Sequence, residues 1–105
     1  MARFDVYPNP GAHAETTPFL LDVQSGLLDG LDSRMVIPLR RLDRFAQVKL
    51  SAHLTPVFTI SDREYLLETP KMGAVPGRIL KTPVASLVEE QDRITAALDF
   101  LFQGF

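Results

Sequence analysis

Two histidines, a scatter of carboxylates and no cysteine make up the catalytic inventory of this chain. His13 lies in a polar stretch and His53 in an irregular one. They lack the i, i+4 spacing that turns two imidazoles toward one metal on a helix. Each reads as a surface or structural histidine. Asp29 and Asp32 are close enough to suggest a cation site. The alternating ligands and distal glutamate of a calcium loop are missing, however, so a solvated turn is the better account. Gly-rich phosphate loops are absent, as is a nucleophile beside a base. The expectation is a protein that works by binding: no enzyme, no metal and no cofactor.

The residues that could recognise a partner are apolar and oddly placed. Leu27-Leu28 sits between Gly26 and Asp29-Gly30, in the turn of a strand–turn–strand stretch spanning residues 22–39. Turns are normally polar and solvated, so two leucines there need a cause. Either they fold back onto the domain or they form a contact surface. At the other end, Phe100, Phe102 and Phe105 crowd the last six residues beside Leu101. At 100° per residue three phenylalanines cannot share one helical face, so at least one points away from the domain. That surplus aromatic surface is buried in a homodimer, or it anchors a partner by insertion into a pocket.

Short strands must position these groups. Arg3–Tyr7 alternates with period two and stops at Pro8-Asn9-Pro10-Gly11. Residues 8–17 form a long polar loop of the kind often found to be either disordered or functional. Residues 19–23 and 35–39 are nearly continuous apolar runs, suited to strands covered on both faces, with Pro38 placing the second at an edge or bulge. Residues 40–55 read as an irregular, partly helical excursion. Residues 56–60 and 64–68 are strands joined through Ser61-Asp62. Two extended pieces follow, around Ala74-Val75 and residues 78–80. The last segment is a helix from about Leu87 to Phe102. It starts at a Ser86–Glu89 capping box, carries a stripe of Leu87, Ile94, Leu98 and Leu101, and stops at Gly104. Many short strands closed by one helix predict a mainly β fold, a small antiparallel barrel.

Four pieces, in order, carry a resemblance: Phe4-Asp5-Val6-Tyr7; Asp22-Val23-Gln24-Ser25 with Arg34-Met35-Val36-Ile37-Pro38-Leu39; Met72-Gly73-Ala74-Val75-Pro76; and Val84-Ala85-Ser86-Leu87 through Phe102-Gln103-Gly104-Phe105. Together they resemble the CcdB family, the gyrase-poisoning toxins of type II toxin–antitoxin pairs. The resemblance implies an SH3-like antiparallel barrel with a small additional sheet and a C-terminal helix, working as a homodimer. It implies binding to the A subunit of DNA gyrase through Gln103, Gly104 and Phe105, with Phe102, Asp99, Leu27 and Leu28 at other gyrase-facing positions. The family usually has Trp-Gly and an aliphatic residue at its end; here Gln103 and Phe105 differ. A CcdA-type antitoxin is the second implied partner. Its candidate contacts are Pro8, Asn9, Pro10 and Gly11 in the 8–17 loop, and Leu42 and Arg44 in region 41–50. Operator DNA would be met only through that antitoxin.

Bulk properties agree. At 105 residues, 46% hydrophobic and 23% charged, residues 1–105 suit one globular domain. A net charge of −2 offers phosphate backbones no general attraction. The absence of cysteine fits a reducing cytoplasm, and neither a signal-peptide core nor a membrane-spanning run is present. Two other functions stay open: a barrel endoribonuclease of the MazF and Kid type, using Arg34, Arg40, Arg41 and Arg44 as a basic face for RNA, or a non-toxic interaction module that keeps antitoxin binding. Asp32 and Asp43 intersperse those arginines, so a solvated, partly paired face is the simpler account of them.

Overall fold

A computed structural model of the protein describes residues 2–44 and 51–104. Its strands are β1 (Asp5–Pro8), β2 (Phe19–Asp22), β3 (Ser33–Arg41), β4 (Val57–Ile60), β5 (Arg63–Leu67), β6 (Gly73–Pro76) and β7 (Ala85–Ser86), followed by helix α1 (Gln91–Gln103). All pairings are antiparallel, in the order β4-β5-β3-β2-β1-β7, with β6 attached to β3. The sheet curls into a nearly closed barrel, as the strand pattern predicted.

The long strand β3 organises it. One side pairs with β2 over Val36–Leu39; the other pairs with β6 over Ser33–Val36 and with β5 over Leu39–Arg41. Pro38 is therefore in the central strand and not at an edge. Its carbonyl accepts the Glu68 N–H, so its missing donor faces the gap where the neighbour changes from β6 to β5.

Both faces of the sheet are covered. Phe4, Val6, Leu21, Ile37, Leu39, Phe58 and Leu67 pack inside with Leu87 and Ile94. Tyr7, Leu20, Val36 and Leu80 pack on the opposite face. Alternation along β2 and β3 separates the two sets, which is why residues 19–21 and 35–39 are apolar without a break. The β4–β5 connection is the expected two-residue turn, with φ of 51° at Ser61 and 68° at Asp62, the doubly positive pattern that matches strand twist. Phe4 also has positive φ, 74°. Its N–H bonds to Asp22 O and its carbonyl accepts from Leu87, which holds an otherwise unfavourable backbone while the ring enters the core.

The final helix differs in detail from expectation. Leu87 ends the sheet region and Val88–Glu90 form a 3₁₀ turn, so α1 begins only at Gln91. The Ser86 hydroxyl accepts from the Val88 N–H, and Glu89 does not reach back, so the capping box does not form. Arg93 fastens the first turn instead. It bonds to Glu90 and to the Val57 carbonyl, with its guanidinium 4.5 Å over the Phe58 ring. Ile94 and Ala97 are buried beneath it, and burying the isoleucine contributes about 1.5–3 kcal/mol. Gly104 ends the helix with φ of 81°, donating to Phe100 O. Residues 77–79 form a 3₁₀ turn rather than an extended piece.

Tyr7 carries a pH signature. Burial, and then the charges of Asp5 and Asp22, raise its phenol pKa above the ordinary 10.0. The unfolded chain loses that proton first, so stability present below pH 10 declines as pH climbs toward the folded-state value. The unfolding temperature should fall more steeply above pH 10 for the unaltered protein than for Tyr7→Phe. Equal slopes would contradict the assignment.

Candidate functional site

The β2–β3 connection is built from its base upward. Arg34, only 2% exposed, donates through Nε and Nη2 to Asp22 Oδ2 at 3.1 and 2.6 Å, while Nη1 reaches Asp29 Oδ1 at 2.6 Å. Burial works against its charge, but the hydrogen bonds to Asp29 and Asp22 outweigh that and raise its pKa above the usual guanidinium range. The other Asp22 oxygen accepts the Gln24 N–H at 3.0 Å. Gln24 extends the network, donating to the Leu28 carbonyl at 3.1 Å and accepting from Met35 N–H at 3.0 Å. Gly77 closes the far side, where a Cβ would sit 3.2 Å from Asp32 O and 3.4 Å from the Arg34 stem.

Above this base, residues Gly26–Leu28 form a 3₁₀ turn whose Leu27 N–H is capped by the Ser25 hydroxyl. The leucines do not fold back. Leu27 is 96% exposed, Leu28 48% and Leu31 54%. The second apolar projection is at the end of α1, where Phe102 is 69% exposed and Phe100 half-buried. Phe100 stacks on His53 with centroids 6.4 Å apart, in a groove that Asp99, Ala96 and Gly104 also line. Asp99 and Gln103 are solvent-facing. Phe105 lies outside the described residues.

The loop between β1 and β2 is ordered by its own polar groups. Asn9 donates to Thr17 O at 2.8 Å and accepts from Gly11 N–H at 2.9 Å, while Arg41 N–H bonds to Thr16 O. That last bond brings the loop against the end of β3, one residue before the exposed Leu42. Pro8, Pro10 and Gly11 are exposed and Asn9 half-buried. The Arg44 side chain and residues 45–50 lie outside the description.

Of the four arginines considered for an RNA-binding face, the three whose side chains are described lie beside carboxylates. Arg34 is buried in the ion pair, Arg40 lies 4.0 Å from Glu68, and Arg41 pairs with Asp43 at 2.8 Å. Among the described residues no three histidines or carboxylates converge as a metal site, and no helix is long and apolar enough to cross a membrane.

A family model described as CcdB protein matches residues 3–104. The chain belongs to the CcdB family. Membership supports a toxin of a toxin–antitoxin system, in a family of poisons that are not classical enzymes. The mainly β barrel with one C-terminal helix is consistent with the CcdB fold. Sequence reasoning missed the Arg34–Asp22 pair and the Gln24 bridge beneath the tip. The pair becomes readable only once the register is known: with Asp22 opposite Val36, the residue two positions back on the same face lies diagonally across the strands, and that residue is Arg34. Leu31, a third exposed leucine in the turn, was also overlooked.

Asp22→Ala would leave the buried guanidinium with Asp29 alone. It should lower unfolding free energy by about 3–5 kcal/mol in urea titration. Glu90→Ala, which breaks a largely exposed pair with Arg93, should cost less than about 1 kcal/mol. Similar losses in the two variants would refute the energetic role given to Arg34.

Proposed function

We propose that this CcdB-family chain acts as a homodimer in the cytoplasm, binds the A subunit of DNA gyrase and holds the enzyme with its DNA cleaved. The observation that carries this reading is the outward placement of Phe102, 69% exposed at the last turn of α1. An aromatic ring held by a docked helix is a ready anchor for a pocket on a partner. Leu27 and Leu28 on their turn, Asp99 on the helix, and Gln103, Gly104 and Phe105 complete the proposed gyrase-facing set.

The action is mechanical. Gyrase cuts both strands of one duplex, passes another through the gap and reseals. A dimeric wedge that binds the open arrangement of the A subunits better than the closed one shifts the population toward it. The cleaved, protein-linked DNA then persists, and replication and transcription stall against it. No bond is made or broken by the toxin.

A CcdA-type antitoxin is the proposed second partner, meeting Pro8, Asn9, Pro10 and Gly11 together with Leu42 and Arg44. The Arg41–Thr16 hydrogen bond, which draws that loop to the end of β3, supports treating these segments as one surface. The toxin's net charge of −2 supports leaving DNA contact in the repressor complex to the antitoxin.

Purified protein added to gyrase and supercoiled plasmid should accumulate linear, protein-linked DNA. A variant lacking residues 103–105 should accumulate none, with thermal unfolding nearly unchanged. Gln103→Trp restores the residue common in the family and should tighten binding by about two- to thirty-fold, the range of a cation–π contact. Absence of linear DNA from the full chain would contradict gyrase poisoning. Unchanged affinity in Gln103→Trp would contradict the placement of that residue.

A further inference from the structure

The turn between β2 and β3 has the composition of a segment that should wander. Gly26 and Gly30 flank it, and glycine widens the range of backbone conformations that must be given up on ordering. Leu27 has no packing to hold it, being 96% exposed. Yet two side chains from the base grip the turn at successive residues. Arg34 Nη1 holds the Asp29 carboxylate at 2.6 Å, and Gln24 Nε2 holds the Leu28 carbonyl at 3.1 Å. Neither grip depends on the turn for its own anchorage. Arg34 is fixed from below by two bonds to Asp22, and Gln24 by the Met35 N–H.

Asp29 is the telling member. Its side chain is 48% exposed, and Asp22 already neutralises the buried guanidinium, so closing the core does not require it. What the Asp29 contact does accomplish is to fix the turn relative to β3. We propose that Arg34 and Gln24 are positioning residues that hold the Leu27–Leu28 turn in one conformation with its leucines outward, as a preformed apolar contact for the partner protein. The inference deepens the gyrase reading and rests on it for the identity of that partner. A turn ordered in advance loses less conformational freedom on binding, so its leucines contribute more of their burial to affinity.

The test uses Asp29→Ala and Gln24→Met, which each cut one grip and leave the Arg34–Asp22 pair in place. Asp29→Asn, whose amide oxygen can still accept from Arg34, serves as the conservative rescue. Amide hydrogen exchange reads the turn directly, because Leu28 N–H bonds to Ser25 O and Leu31 N–H to Leu28 O. Both amides should exchange about tenfold faster in Asp29→Ala and in Gln24→Met, as local opening becomes easier. Affinity for a gyrase A-subunit fragment should fall about tenfold in Asp29→Ala and recover in Asp29→Asn. The unfolding temperature of Asp29→Ala should move by no more than about 4 °C. Phe102→Ala is the control: it should weaken fragment binding with turn exchange unaltered. Unchanged exchange in both grip variants would overturn the proposal, as would faster exchange with undiminished affinity. If the unaltered protein ignores the fragment, the gyrase reading fails on its own, and the exchange rates then decide the positioning proposal.

Discussion

An arginine that is 2% exposed must have a carboxylate beside it, and that requirement governs the centre of this molecule. Asp22 ends β2 and Arg34 stands near the start of β3, so their pairing ties both strands at the point where the chain leaves the sheet. A slip of one residue between these strands would turn Asp22 or Arg34 toward the apolar interior. The pair therefore acts on register as well as on stability. Everything above it, from Gln24 to Asp29, hangs from that fixed base.

The arrangement separates two tasks that compete in small proteins. The sheet buries apolar residues on both faces, one set inside the barrel and one beside the ion pair. Among the described residues, the large apolar side chains left most exposed are Leu27 and Phe102. Each stands at the end of an element fixed by polar contacts: the turn by Arg34 and Gln24, the helix by Arg93 and the Gly104 cap. On the proposed reading, such outward groups act through the difference in contact they make with two states of a partner.

Local chemistry explains what was legible in the chain and what was not. The Ser61-Asp62 turn and the stop at Gly104 were readable because their determinants lie within two or three neighbouring residues. The outward placement of one terminal phenylalanine followed from misplaced hydrophobicity, whereas the same clue at Leu27–Leu28 left two outcomes open, of which the structure takes the exposed one. Pro38 misled because its usual penalty vanishes where a central strand changes partners, a property of topology that no local pattern records. Arg34 misled for the opposite reason: a charged residue beside a polar turn suggests a surface, and only cross-strand register reveals its buried carboxylate. Ser86 and Glu89 have the spacing of a capping box, but the 3₁₀ turn at Val88–Glu90 takes their place in the geometry.

The account stands on two outward apolar groups meeting the same partner. Hydroxyl-radical footprinting of the protein, free and bound to the gyrase A subunit, tests this residue by residue. Leu27 and Phe102 should lose most of their reactivity in the complex, while Val84, which is exposed but outside the proposed contact, keeps its own. Equal reactivity of Leu27 and Phe102 in the free and bound protein would contradict it.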